Sequence, residues 1–307
     1  MGKGIPKKRI ERYCRIAGQL NEDPFMTVRE IGCNTGLSRN TVAIYLKEMY
    51  SQNVLIGPWM SLKPHSNYRE YVYLMNFSDP SHIFRGLKEF PNTLYHGMTF
   101  GSFNTLVITD RQLDFPQLKG FESMVYQGVK GYSHTPRTEY FPWDQSFEKM
   151  YEVLEDFTPF GFEPKRDLYP LNWGKDEWKL YHAFRLNVRR SAAPVLNKIK
   201  VQYETYAKWM KNLKDHCTLH TEFYPEGCNN YMDYCLLLDS DYKRSVTSLF
   251  SFFPTTPLIM EMNNQLLISV KVMTSVVVRS MICMLYDMKT KKMIREVCHA
   301  VVLHDQR

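Results

Sequence analysis

Arg39, Asn40 and Thr41 are consecutive, and their side chains suit the major groove of DNA. Arg pairs with guanine, Asn pairs with adenine, and Thr bonds a phosphate or touches a thymine methyl. Lys7, Lys8, Arg9, Arg29 and Lys47 lie within the same N-terminal stretch, and their charges grip phosphates, which supplies affinity rather than sequence choice. Lys63, His65 and Asn67 form a further polar group suited to backbone or minor-groove contact. His216-Cys217, His220 and Cys228 offer nitrogen and sulfur ligands, but their spacing matches no common zinc site, so no metal is expected. Cys298-His299 are adjacent on a strand, where alternation sends them to opposite faces and excludes a Cys–His catalytic pair. No catalytic residue and no cofactor is expected from these groups.

The elements that must hold Arg39–Thr41 are well marked. Pro6 suits the first turn of a helix over 6–22, with Ile10, Tyr13, Ile16, Ala17 and Leu20 at helical spacing. Thr27 with Glu30 three residues later is a capping box for a short second helix. Gly36 allows a left-handed turn, and Ser38 caps a third helix over Arg39–Ser51. A short helix, a glycine turn and a capped helix form a helix-turn-helix, which presents the N-terminal end of its last helix to the groove. Two short strands around a Lys63–Asn67 turn are expected to add a wing.

Beyond the wing the pattern reads βαββαβ. It has a strand at Tyr71–Phe77, a helix at Ser81–Phe90, a hairpin across Gly101-Ser102, a helix at Phe115–Gln127 and a strand at Lys130–Tyr140. Such a unit makes a four-stranded antiparallel sheet with helices on one face. Residues 231–306 repeat it, with Phe90-Pro91 matching Phe253-Pro254 and Tyr71 matching Tyr234 at an offset of 163. The helix-turn-helix recurs at an offset of 164, but there Lys200 replaces Gly36, Gln202 replaces Ser38, and Tyr203 and Glu204 replace Arg39 and Asn40. The fold class expected is α+β, two copies of a winged helix-turn-helix followed by a ferredoxin-like βαββαβ domain. The divisions are 1–68 for the first winged helix, 69–143 for the first βαββαβ domain, and 144–174 for a connector. The second, diverged winged helix takes 175–230 and the second βαββαβ domain 231–307.

The chain has 307 residues and a net charge of +7. Residues 1–65 carry ten Lys/Arg against five Asp/Glu, and residues 165–216 carry twelve against five, so both basic stretches coincide with the helix-turn-helix copies. Seven cysteines, an odd number without C-x-x-C, fit reduced thiols in a cytoplasm. No stretch is long and apolar enough to span a bilayer, and no membrane partner is expected.

Thr27–Met49, Tyr71–Asp79, the Gly101-Ser102-Phe103-Asn104 hairpin and Gly128-Val129 leading to Thr135 together resemble the Lrp/AsnC (feast/famine) transcription regulators. The resemblance implies a regulator, not an enzyme, that binds double-stranded DNA and answers to a small-molecule effector such as an amino acid or aromatic metabolite. DNA contacts fall on Lys7, Lys8, Arg9, Thr27, Arg29, Ser38, Arg39, Asn40, Thr41, Lys47 and Lys63. Effector contacts fall on His96, Thr99, Asn104 and His134. One chain would equal a dimer, and exposed sheet edges offer a route to homo-oligomers. The aromatic groups Tyr132, Tyr140, Phe141, Trp143 and Phe157, Phe160, Phe162 are a second place for an aromatic effector, with packing as the alternative. The same architecture serves as an enzyme in the siroheme decarboxylases, whose hairpin with His, Arg and Asn handles tetrapyrrole carboxylates. Here the corresponding stretch Leu94–Asn104 holds His96 and Asn104 but no Arg, which weighs against that alternative because carboxylates favour an Arg fork.

Overall fold

The computed structural model describes residues 5–136, 139–158 and 166–306. Three helices open the chain: α1 (Lys7–Glu22), α2 (Val28–Thr35) and α3 (Arg39–Ser51). α1 buries Ile10, Tyr13, Ile16, Ala17 and Leu20 on one face. Thr27 and Glu30 form the capping box reciprocally, and Gly36 ends α2 at φ 68°, a conformation that costs a glycine nothing. Ser38 caps α3 by accepting from the Thr41 N–H.

β1 (Leu55–Leu62) follows, but the wing expected around Lys63–Asn67 does not fold back as a hairpin. β1 pairs antiparallel with β7 (Cys217–Phe223), the matching strand of the second copy, from Leu55 opposite Phe223 to Leu62 opposite Cys217. The two wings thus complete each other. Met60 and Leu62 of β1 pack into the core of the second helix-turn-helix, whereas Phe223 of β7 packs into that of the first. A lone strand leaves its backbone groups unpaired, and here each wing satisfies the other.

The first sheet unit runs β2 (Tyr71–Phe77), α4 (Pro80–Leu87), β3 (Thr93–Gly101), β4 (Thr105–Thr109), β5 (Phe121–Val129) and a short β6 (Ser133–His134). The helix expected over Phe115–Gln127 is absent. Residues Phe115–Gln117 make one 3₁₀ turn and β5 takes the rest. Pro116 and Gly120, the latter at φ 85°, break the helix, and β5 then pairs along β2. The expected final strand over Lys130–Tyr140 is reduced to β6, with Arg137 and Thr138 outside the described residues.

α5 (Trp143–Glu155) connects the halves. The second copy follows as α6 (Lys175–Phe184), α7 (Ala192–Ile199), α8 (Tyr203–Lys211), a single-turn α9 (Leu213–His216) and β7. Lys200 adopts the left-handed turn at φ 56° where the first copy has Gly36, and Gln202 makes no side-chain cap on α8. A non-glycine residue in that conformation costs about 1–2 kcal/mol. β8 (Met232–Asp239), α10 (Lys243–Phe250), β9 (Leu258–Met262), β10 (Gln265–Val272), α11 (Ser275–Thr290) and β11 (Glu296–Gln306) complete the second unit.

The strands join in the order β5-β2-β4-β3-β11-β8-β10-β9-β6. β3 pairs with β11 at one seam and β6 with β9 at the other, and β6 is the chain's continuation of β5. The two sheets therefore close on each other face to face. Between them lies a shared core holding Val72, Leu74, Phe103 and Leu106 of one half with Leu237, Met260 and Leu267 of the other. The α+β architecture of two helix-turn-helix units with two ferredoxin-like sheets is as expected, apart from the helix lost to β5.

Candidate functional site

Under the paired wings, where they meet the open end of the closed sheet, lies a cavity of about 340 Å³. That volume is at the lower end of the range for small-molecule sites. Both halves line it. Leu94, Leu106, Ile108, Leu258, Met260 and Leu267 form apolar walls from β3, β4, β9 and β10. Tyr181 and Arg185 enter from the end of α6, and Trp59 and Ser61 from β1.

The polar side is organised as two ion pairs. Glu70, just ahead of β2, binds Lys130, just after β5, and both are buried. Asp233 on β8 faces Lys271 across the β8–β10 ladder, with Nζ to Oδ2 at 2.5 Å and the Ser269 hydroxyl donating to Oδ1 at 2.7 Å. Burial pulls the Lys271 ammonium down, but attraction and a hydrogen bond to Asp233 outweigh it and leave the net shift upward. Glu222 accepts from Trp59 Nε1 at 2.8 Å and from the Tyr224 hydroxyl at 2.7 Å, so its carboxylate is held by two neutral donors.

At the wing side of the cavity Ser61 Oγ and His220 Nε2 lie 2.7 Å apart, both buried. The imidazole stacks on the Trp59 ring at 4.1 Å. Direct pairing of Trp59 with His220 across β1 and β7 produces the stack and brings Ser61, two residues on, to the ring nitrogen. Burial, with Glu70 nearby, pushes the Tyr181 phenol well up, so it stays protonated. Burial likewise pushes the Cys235 thiol up, which removes it as a thiolate nucleophile.

The residues singled out from sequence lie elsewhere. Arg39 and Asn40 are exposed at the start of α3, and Arg29, Lys47, Lys7 and Lys8 are exposed on the same module. Thr27 and Ser38 serve as helix caps, and the Thr41 hydroxyl bonds Ser38 at 2.8 Å. Arg9 is engaged inside the module, paired with Glu48 and bonded to the Tyr13 hydroxyl at 2.8 Å. Lys63 donates to the Lys214 carbonyl at 2.6 Å, His65 lies 5.4 Å from His216 ring to ring, and Asn67 bonds Leu171, so no free wing tip exists.

The four effector candidates do not gather. His96 points away from the cavity onto Phe84 of α4, and burial pulls its pKa down. The Thr99 hydroxyl donates to the Phe103 carbonyl, and Asn104 bonds both backbone groups of Phe77, so these two brace the hairpin. His134 sits on β6 beside the cavity residue Ser133, and burial pulls its pKa down as well.

The aromatic groups also separate. Arg166 lies over Tyr132, Lys149 lies over Phe141, Trp143 packs on Phe253, and Phe157 packs on Tyr242. Phe160 and Phe162 lie outside the described residues. Among the described residues no three His, Cys, Asp or Glu side chains converge as a metal site. No helix among them is long and apolar enough to cross a membrane.

The cavity cations do not lie on the Leu94–Asn104 hairpin, where an arginine is the signal expected for carboxylate binding. Arg185 comes from α6 and the lysines from β5 and β10. One signal was available: Glu70 and Asp233 precede the matched Tyr71 and Tyr234, so an acid occupies the same place in both copies.

No family model and no curated protein sequence matches the chain. Among solved structures it is similar to the siroheme decarboxylase NirDL, with 8% identity over 96% of this chain and 91% of that one, at a TM-score of 0.50. It is also similar to NirDL in co-complex with an iron-uroporphyrin III analogue, with 8% identity over 96% and 92%, at a TM-score of 0.47. At this identity the likeness is one of fold. It corrects the expectation of a transcription regulator without enzymatic activity, because over almost its whole length the chain has the fold of an enzyme.

Proposed function

We propose that this chain is a decarboxylase of the siroheme decarboxylase kind, acting on a carboxylate-bearing tetrapyrrole whose acid side chain enters the cavity between the halves. The observation that carries this is the cavity itself. Apolar walls from four strands stand opposite cationic side chains, with a hydrogen-bonded Ser–His pair at one side. The fold shared with a siroheme decarboxylase supports the same reading.

The chemistry asked of the site is modest. The C–C bond to the carboxylate breaks, carbon dioxide leaves, and the electron pair stays on the side-chain carbon until a proton arrives. Arg185 holds the acid in place, while Lys130 and Lys271 stay paired with Glu70 and Asp233. The apolar walls disfavour the compact carboxylate charge more than the dispersed charge that replaces it. Ser61, held by His220 Nε2, supplies the proton from its hydroxyl, which a proton from solvent then restores.

The test is anaerobic incubation of the purified chain with siroheme, following carbon dioxide and the visible spectrum together. Release of carbon dioxide with a shifted spectrum is the expected result. Neither change at stoichiometric protein overturns the proposal.

A further inference from the structure

We infer that the cavity recognises one carboxylate, gripped by Arg185 and carried on an apolar arm, and that it rejects a second carboxylate at depth. This rests on the reading above and names the part of the substrate that the cavity takes.

The argument is a charge account. Among the described residues three cations line the cavity, and two are already committed, Lys130 to Glu70 and Lys271 to Asp233. Lys271 also feels Glu222, so its charge is shared between two acids. Arg185 has neither an ion-pair nor a side-chain hydrogen-bond partner among the described residues, although its charge reaches Tyr181 and Tyr68. Its guanidinium is a planar fork suited to one carboxylate.

A second, independent observation points to a ligand. Ser133 lines the same cavity, is 3% exposed, and its hydroxyl has no hydrogen-bond partner among the described residues. Buried hydroxyls are nearly always satisfied, so this one is poised for a polar atom of a bound molecule. The rest of the described lining is apolar, acidic, or carries neutral hydroxyls, of which Ser61 is engaged to His220 and Ser269 to Asp233. A second carboxylate would meet hydrocarbon, or Asp233 and Glu222, and would lose its hydration without an uncommitted cation to replace it.

The experiment is calorimetric titration of the full chain with three ten-carbon probes: decanoate, its dicarboxylate analogue sebacate, and 1-decanol. Decanoate is expected to bind at least tenfold more tightly than either of the others. Arg185→Met should cost decanoate at least tenfold and leave 1-decanol unchanged. Arg185→Lys, which keeps the charge, should fall between, and Ser133→Ala should weaken binding without altering the preference for one carboxylate. Sebacate binding as tightly as decanoate overturns the inference, as does decanoate binding that is absent or indifferent to Arg185→Met. Decanoate behaving as expected while siroheme is left intact would defeat the decarboxylase reading alone. Siroheme turnover that survives Arg185→Met would defeat this inference alone.

Discussion

Glu70 and Asp233 stand 163 positions apart in sequence and hold the same place in the two halves, each at the start of a half's first sheet strand and each bound to a lysine. The lysines are not equivalent. Lys130 follows β5, on one flank of β2, whereas Lys271 is on β10, which corresponds to β4 on the other flank. The duplicated acid was kept, and each half met it with a cation from a different neighbour.

Lys130→Met is therefore expected to destabilise the chain by about 3–5 kcal/mol, because it leaves Glu70 buried without its countercharge. Glu70→Gln combined with Lys130→Met should cost much less than Lys130→Met alone. Urea unfolding of the three proteins measures this, and a cost below about 1 kcal/mol for Lys130→Met would mean that water reaches Glu70.

Ser61→Ala should lower carbon dioxide release about 100-fold, at the low end of what a positioned proton donor contributes. Ser61→Thr keeps the hydroxyl and should recover most of the rate. Substrate affinity, read from the visible spectrum, should be unchanged in both, which separates proton delivery from mere packing.

Acid should weaken the fold through its buried histidines. His96, His134 and His216 all have pKa values pulled below the usual 6.5 by burial, with Arg166 adding to the effect at His134 and His65 at His216. Their unfolded forms bind protons first, so stability is full above pH 6.5 and declines as pH falls below it, until the folded forms also titrate. The urea midpoint should drop between pH 7.5 and 5.5, and His96→Gln should make that drop smaller. An identical drop in the variant would remove His96 from the account.

Gly101→Ala tests the seam between the halves. Gly101 sits at φ 148°, and an added Cβ would strike the His299 carbonyl oxygen and come within 2.8 Å of Ala300 Cα. The pairing of β3 with β11 passes through this point. The substitution should cost more than about 1 kcal/mol, and thermal unfolding compared with Gly86→Ala, where a Cβ meets nothing within 4 Å, checks it.

What the sequence disclosed was local. The Thr27–Glu30 box, the Gly36 turn and the Ser38 cap involve neighbours three or four residues apart, so their meaning is present in the string itself. The pairing of β1 with β7 is not, because the partners are about 160 residues apart and a strand's choice of edge leaves no local mark. The helix expected over Phe115–Gln127 rests on apolar residues that fit either period, and only the place of β5 beside β2 decides for strand. The cavity was hidden for the same reason. Trp59, Lys130, Arg185 and Lys271 come from four elements in two halves, and none carries a motif.

The crossed wings have one more consequence. Two identical subunits joined about an axis would offer a bound molecule the same surroundings from either end, and it could sit either way round. Here the position matching Arg185 in the first copy, 164 residues earlier, is Asn21, which carries no charge. A molecule bound beneath the wings therefore finds a head and a tail, and a lopsided ligand is offered one orientation per chain.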